Sequence, residues 1–212
     1  MRPPESWRTA RATLAIAALT ALAFVLAEMA GLQMRAASWG GFLPYRFSFD
    51  GYGPGAPVWL TPLTATLVHV DWIHLLFNLL FLLFCGRAVE GVLGPVAIVL
   101  LYVIGAYAAA AGQFVIDPHS TSPMIGASGA ISAVLGAYAM LFGRNKVKVK
   151  SPTLALWLNA LWLMAAWIGL QLVLGIVSAG LNVGVAIGAH IGGFLAGIAL
   201  ARPLLLFRNR KA

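Results

Sequence analysis

The feature that most constrains this chain is a succession of apolar segments, each close to the length that a helix needs to cross a lipid bilayer. A spanning helix requires about 20 predominantly apolar residues. The segments that meet or approach this length are residues 12–33, 71–86, 94–115, 128–142, 153–177 and 184–207. Shorter segments can still span where neighbouring helices shield them from lipid. We therefore predict an all-α membrane protein, a polytopic bundle of six transmembrane helices.

The composition points to the same class. Hydrophobic residues make up 61% of the chain and charged residues only 9%, with a mean hydropathy of +0.89. A soluble domain carries about 25% charged residues. The formal net charge of +8 does not indicate a nucleic-acid partner. The basic residues are spread between the apolar segments and at the chain ends, where anchoring to a bilayer surface explains them.

The single cysteine and the first apolar segment each exclude a simpler interpretation. Cys85 lies inside an apolar run, so no intramolecular disulfide is possible and we expect neither a metal site nor a cofactor. We interpret Cys85 as a buried apolar residue. Residues 12–32 are long enough to span and show no clear cleavage site, so we interpret them as a membrane helix rather than a cleaved signal.

The basic residues also predict the orientation. With six crossings, the positions before the first helix, after the second, between the fourth and fifth, and after the sixth share one side. The basic residues at these positions are Arg2, Arg8, Arg11, Arg87, Arg144, Lys146, Lys148, Lys150, Arg202, Arg208, Arg210 and Lys211. The positive-inside rule makes that side cytoplasmic. We expect one domain over residues 1–212, with residues 1–11 and the tail 208–212 in the cytoplasm, and a location in a bacterial inner membrane.

The first external loop, residues 34–70, is too long to be a simple connection. It combines several Gly and Pro residues with the aromatic residues Trp39, Phe42, Tyr45, Phe47, Phe49, Tyr52 and Trp59. Aromatic side chains favour the headgroup level of a bilayer. We therefore expect an interfacial element between the first two helices. Asp71 is expected to cap the helix that follows.

Polar side chains at membrane depth are expensive and need an explanation. Counting about 1.5 Å per residue from the basic residues at the inner face places Ser128, His74 and His190 in one layer, with Asn78 slightly deeper. His74 and Asn78 are spaced i, i+4 and share a helix face. His190 could act as base to the Ser128 hydroxyl, and His74 and Asn78 could stabilise an oxyanion. Each of these side chains could instead serve only to form a hydrogen bond between helices.

The acidic residues fall near helix ends or in loops, so this unit would be a dyad rather than a triad. These residues are Glu28, Asp50, Asp71, Glu90 and Asp117. Zinc and aspartyl hydrolase chemistries are not predicted, because there is no His-Glu-x-x-His motif and no Asp pair at depth. The serine motif also lacks the second glycine of an α/β-hydrolase elbow, and no parallel sheet is predicted.

Four short motifs follow one another along the chain: His69 followed by His74-Leu75-Leu76-Phe77-Asn78, then Gly86-Arg87-Ala88-Val89-Glu90, Gly126-Ala127-Ser128-Gly129, and Ala189-His190-Ile191-Gly192-Gly193. Together they closely resemble the rhomboid family of intramembrane serine proteases. The serine motif is weak alone, whereas the joint pattern is highly specific. The pattern extends from the second predicted helix to the sixth.

The resemblance implies a role for each matching residue. Ser128 would be the nucleophile and His190 the general base. His74, Asn78 and the Ser128 backbone N–H would form the oxyanion site, with Gly126 in the close-packed loop that carries the serine. Structural residues near the site would be His69, Gly129 and Gly193.

The sequence departs from the family pattern at two positions. Trp59 is followed by Leu60 where the family often has Trp-Arg, so the external loop is expected to be anchored differently. The family also often has an aromatic residue four positions after the serine, stacked on the catalytic histidine. That position is Ser132 here, so the orientation of His190 must have another source, such as tight packing at Gly192 and Gly193.

The resemblance implies hydrolysis of peptide bonds in or next to transmembrane helices of membrane-protein substrates within the lipid bilayer. Two other functions stay open. One is an inactive relative that binds membrane helices for quality control, against which the intact Ser128–His190 pair argues. The other is a small transporter, against which the lack of inverted halves and of an intramembrane carboxylate argues.

Substrate access is expected to depend on the loop before the sixth helix. Residues 178–183 carry no charge and include a glycine, so they could cover the site as a movable lid. The fifth helix, which carries Trp157, Trp162 and Trp167, is expected to pack loosely against the second.

Overall fold

A computed structural model describes residues 10–48, 55–143, 149, 151–179 and 186–209. These ranges fold into ten α-helices with short 3₁₀ and π turns and a single isolated β-bridge. The first half contains α1 (Arg11–Met29), α2 (Gln33–Gly40), α3 (Pro44–Ser48), α4 (Thr61–Thr64), α5 (Trp72–Phe81) and α6 (Arg87–Leu93). The second half contains α7 (Pro95–Ile116), α8 (Ser128–Phe142), α9 (Pro152–Ala179) and α10 (Ile187–Asn209). The prediction of an all-helical protein is confirmed for these ranges.

Within the described ranges, five helical segments are long and apolar enough to cross a membrane. They are Arg11–Met29, Trp72–Leu93, Pro95–Ile116, Pro152–Val173 and Ile187–Arg208. The remaining predicted span, the fourth along the chain, is α8, which has the predicted bounds but only 15 residues, fewer than the roughly 20 that a lone spanning helix needs.

Helix α8 lies in the centre of the bundle, packed mainly between α7 and α10. Of its 15 residues, 12 are buried, so neighbouring helices replace lipid around it. Small residues allow this close packing: a Cβ atom added at Gly105 of α7 would lie 2.5 Å from the Cβ of Ala133. One added at Gly197 of α10 would overlap the backbone carbonyl of Ala133. The shortness of α8 is therefore compatible with its position.

The second span begins as predicted and ends later than predicted. The Asp71 carboxylate accepts the His74 backbone N–H at 2.7 Å and caps the start of α5. The predicted end was Gly86, but a π turn over Leu82–Gly86 leads directly into α6, which continues to Leu93. The extension places Glu90 inside the span, where it is 1% exposed.

Glu90 is stabilised by the start of α1. Its carboxylate accepts the backbone N–H groups of Ala12 and Thr13 at 2.9 and 2.7 Å, and the Thr13 hydroxyl at 2.6 Å. The first N–H groups of a helix have no partner within it and carry partial positive charge, so a carboxylate there is favourable. Glu90 is expected near a helix end or in a loop, and it lies near the end of α6, where its hydrogen-bond donors come from a distant part of the chain.

Three helix ends meet on one side of the bundle. Glu90 joins the end of α6 to the start of α1. The Arg208 guanidinium near the end of α10 donates to the backbone carbonyls of Gly91 and Val92. These contacts bring Arg11, Arg87 and Arg208 to one side of the bundle.

The region between α1 and α5 is more structured than a plain loop, since α2, α3 and α4 lie in it. The Thr64 hydroxyl donates to the Gly40 carbonyl at 2.6 Å, and the buried Arg46 side chain donates to the Ala56 carbonyl at 3.2 Å. These two hydrogen bonds anchor the region. Its position at the surface of a bilayer stays a prediction.

Several predictions lie outside the described residues. These concern Arg2, Arg8, Phe49, Asp50, Tyr52, the basic cluster over residues 144–148 and 150, the lid residues 180–183, and the end of the tail, residues 210–212. Cys85, by contrast, is a buried free cysteine, as interpreted from the sequence.

Candidate active site

Backbone hydrogen bonds fix the turn that leads into α8. Phe42 and Met124 exchange two bonds, at 2.9 and 2.8 Å, which join the turn to the region between α1 and α5. The Gly126 N–H donates to the Ala65 carbonyl at 2.9 Å. Gly126 has φ +102°, a backbone conformation that other residues rarely adopt. The turn thus delivers Ser128 as the first residue of α8, where the free N–H groups of the helix start are found.

His69 supports this turn from the side. It is 2% exposed, and its Nε2 accepts the Ala127 backbone N–H at 3.4 Å. Burial, with a smaller contribution from the neighbouring His74, lowers the pKa of His69 from 6.5 to about 3. The ring is therefore neutral at pH values well above 3 and keeps the lone pair that this bond needs. The structural role that the resemblance implies for His69 stays a prediction.

Ser128 and His190 meet at the centre of the bundle. His190 Nε2 lies 3.0 Å from Ser128 Oγ, within hydrogen-bond distance, although the residues are 62 positions apart. Ser128 is 8% exposed and His190 3%. Close packing of α8 on α10 produces this approach, because a Cβ atom at Gly193 would overlap the Gly129 carbonyl. A neutral imidazole in this position can remove the hydroxyl proton.

His74 lies against the serine turn. A Cβ atom added at Gly126 would lie 2.6 Å from His74 Cε1 and 2.7 Å from Nε2. The absence of a side chain at Gly126 therefore makes room for the His74 ring. This contact brings the ring beside the turn that begins α8, two residues before Ser128.

Asn78 is buried on the same helix as His74, but no described hydrogen bond joins its side chain to Ser128. It is 1% exposed, and its Nδ2 donates to the His74 carbonyl at 2.9 Å, one turn earlier in the same helix. Its Oδ1 has no partner among the described residues. No described hydrogen bond joins Asn78 or the His74 ring to Ser128, so their part in an oxyanion site stays a prediction. Nor do the described ranges group three His, Cys, Asp or Glu residues as a metal site would require.

Comparison with known proteins identifies the family of this chain. A family model described as "Rhomboid domain" matches residues 57–207, which contain all the candidate site residues. The chain belongs to the rhomboid family. It is accordingly an integral membrane protein, and members of this family are generally intramembrane serine proteases.

Three similar proteins are themselves named as rhomboid proteases. Rhomboid protease GluP of Bacillus subtilis strain 168 is 31% identical over 145 residues, which cover 68% of this chain and 27% of GluP. Putative rhomboid protease YdcA of the same strain is 31% identical over 106 residues, 49% of this chain and 53% of YdcA. Rhomboid protease GlpG of Haemophilus influenzae Rd is 37% identical over 82 residues, 39% of this chain and 40% of GlpG. The matches thus span about a quarter to a half of these relatives.

One side chain beside the site of this rhomboid chain was missed by sequence reasoning. Trp167 of α9 is buried, its indole N–H donates to Ser132 Oγ at 2.8 Å, and its ring centroid lies 6.2 Å from that of His190. Trp157 and Trp162 on the same helix are 44% and 70% exposed. A polar Ser132 in the apolar α8 was the available signal, since a buried hydroxyl requires a partner.

Proposed function

We propose that this chain is an intramembrane serine protease that cleaves peptide bonds in or next to transmembrane helices of membrane-protein substrates. The observation that carries the proposal is the 3.0 Å separation of Ser128 Oγ and His190 Nε2 in the buried centre of the bundle. The family supports it independently, because the three relatives named above are called rhomboid proteases.

The chemistry follows from the two side chains. His190 Nε2 accepts the hydroxyl proton as Ser128 Oγ attacks the scissile carbonyl carbon. Collapse of the tetrahedral intermediate breaks the C–N bond, and the leaving amine takes the proton from His190. Water then attacks the acyl-enzyme with His190 again as base, which releases the carboxylic acid and regenerates Ser128.

The oxyanion is assigned to donors at the start of α8 and on α5. The backbone N–H of Ser128 has no intrahelical acceptor and lies at the positive end of the helix dipole. The His74 ring lies beside the serine turn. Asn78 Nδ2 carries two hydrogens, and only one is needed for the bond to the His74 carbonyl. We assign the second hydrogen to the oxyanion.

The arrangement in the membrane is part of the proposal. We propose six membrane helices with α8 as the short, shielded one, both termini in the cytoplasm, and the region 34–70 at the outer surface of a bacterial inner membrane. Contacts that gather Arg11, Arg87 and Arg208 on one side support this orientation. The whole chain is proposed to act as one domain.

The test is cleavage of a fluorogenic membrane-helix substrate by the purified protein in detergent or liposomes. Ser128→Ala should abolish cleavage, whereas Ser151→Ala, a matched change at an exposed serine, should not. Equal cleavage by wild type and Ser128→Ala would reject the proposal. Substrate binding without cleavage by the wild type would favour the alternative, a helix-binding protein that is inactive as a protease.

A further inference from the structure

The indole of Trp167 borders the imidazole of His190. The two ring centroids are 6.2 Å apart and the rings are inclined at 75°. A second aromatic ring, Phe81 of the second span, lies 4.6 Å from Trp167 at 62°. Both arrangements are edge-to-face, a geometry that aromatic pairs prefer. Trp167 is 2% exposed, although it belongs to α9, of whose span only 17% is buried.

A hydrogen-bond chain fixes the orientation of this indole. Trp167 Nε1–H donates to Ser132 Oγ at 2.8 Å, and the Ser132 hydroxyl donates to the Ser128 carbonyl at 2.7 Å. The single hydroxyl hydrogen is used on Ser128, so a lone pair of Ser132 is left for the indole. Ser132 is 0% exposed, and an unpaired indole N–H at this place would be unfavourable. Two hydrogen bonds in series therefore hold the indole next to His190 in a fixed position relative to the Ser128 backbone.

The described residues provide no hydrogen-bonded partner that orients His190 in the way the acid of a triad does. Its Nδ1 is buried and has no partner among them. The carboxylates of Asp71 and Glu90 accept hydrogen bonds at the starts of α5 and α1. The orientation of the imidazole therefore depends on the groups that pack against it.

We propose that Trp167 is a positioning residue that holds the His190 imidazole with Nε2 facing Ser128 Oγ. The indole occupies the space into which the ring would otherwise rotate, and Ser132 fixes the indole in turn. Trp167 exchanges no proton with His190 and takes no part in bond making. This inference rests on the proposed function, since it concerns the base of the same reaction.

The first experiment compares Trp167→Leu with Trp162→Leu, a matched change on the lipid-exposed side of the same helix. Trp167→Leu should lower kcat about 10- to 100-fold, with KM changed less than about twofold, because misplacing a catalytic group by about 1 Å can cost about 10² in rate. The rate at which a small fluorophosphonate labels Ser128 should fall in parallel. Trp162→Leu should behave as wild type in both measurements.

A double-mutant cycle tests the hydrogen bond and keeps the proposal testable if Trp167→Leu does not fold. Ser132→Ala should lower kcat and the labelling rate in the wild-type background, because the indole N–H loses its acceptor. In a Trp167→Phe background the same change should have little further effect, since phenylalanine has no N–H to satisfy. If the Trp167–Ser132 hydrogen bond only stabilised the fold, Ser132→Ala would change the melting temperature, but the labelling rate would not fall selectively in the wild-type background.

Three results would each overturn the proposal. The first is wild-type kcat and labelling in folded Trp167→Leu, and the second is an equal effect of Ser132→Ala in both backgrounds of the cycle. The third is a loss confined to KM or to the melting temperature. Ser128→Ala and His190→Ala are assayed alongside as controls. If both controls are inactive while the Trp167 variants are fully active, only the positioning role is refuted. If the controls still cleave the substrate, the proposed function itself is refuted.

Discussion

Replacing Gly126 by alanine is the change for which the structure gives the clearest expected magnitude. The new Cβ atom would lie 2.6 Å from His74 Cε1 and 2.7 Å from Nε2. Ordinary van der Waals contact begins at 3.4 Å, so the His74 ring or the serine turn has to move by about 0.8 Å. The backbone at φ +102° adds strain, of the order of 1–3 kcal/mol, for any residue with a side chain.

Gly126→Ala should affect the rate of catalysis more strongly than the stability of the fold. Misplacement of about 1 Å in a catalytic group can cost about 10² in rate, which corresponds to about 2.7 kcal/mol of activation free energy. We therefore expect Gly126→Ala to lower kcat/KM for a membrane-helix substrate about 100-fold. The protein should still fold, with a lowered melting temperature.

Two further variants separate the contact from general damage. Gly169→Ala is the matched control, because a Cβ atom there meets nothing within 4 Å, and it should keep the wild-type rate. In a His74→Ala background, Gly126→Ala should cost much less than in the wild type, because the ring that its Cβ meets is gone. Wild-type kcat/KM in folded Gly126→Ala, or the same loss with and without the His74 ring, would refute this reasoning.

Three further predictions concern buried polar groups. Glu90→Gln should reduce the free energy of unfolding by about 3 kcal/mol, seen in a denaturation curve, because the amide has one acceptor oxygen where the carboxylate has two, so its NH₂ group must face either the Ala12 N–H or the Thr13 donors. His69 binds a proton near pH 6.5 when unfolded but only near pH 3 when folded, so its contribution makes stability fall as pH drops through that window. Melting temperatures of His69→Asn should therefore depend less on pH between 6.5 and 4 than those of wild type. Asn78→Ala should lower kcat about 10²–10³-fold without abolishing cleavage, the usual effect of losing one oxyanion donor; an unchanged kcat would remove Asn78 from the site.

The sequence predicted the parts of the fold that local pattern determines. The bounds of α8 and the cap at Asp71 follow from hydrophobic length and from the preference of carboxylates for helix starts. The layer shared by Ser128 and His190 follows from counting residues along helices, and the structure places their side chains 3.0 Å apart. Counting along a helix works because a spanning segment has a known rise and a fixed direction.

The features that were missed depend on contacts between distant segments. Glu90 extends the second span because the start of α1, 77 residues earlier at Thr13, supplies its donors. Ser132 has its partner 35 residues later at Trp167. Hydrophobic periodicity indicates which face of a helix is apolar, but it does not indicate which other segment packs against that face. Neither partner could therefore be chosen from the sequence, although a buried carboxylate and a buried hydroxyl each indicate that one exists.

The most direct test of the account is the site of covalent labelling by a fluorophosphonate, read by mass spectrometry of wild type and His190→Ala. A serine hydroxyl reacts with such a probe only when a base activates it. We expect one adduct in the wild type, on Ser128, and a loss of that adduct in His190→Ala when the variant is still folded. An adduct on another serine, or undiminished labelling of Ser128 in His190→Ala, would contradict the assignment of these residues as nucleophile and base.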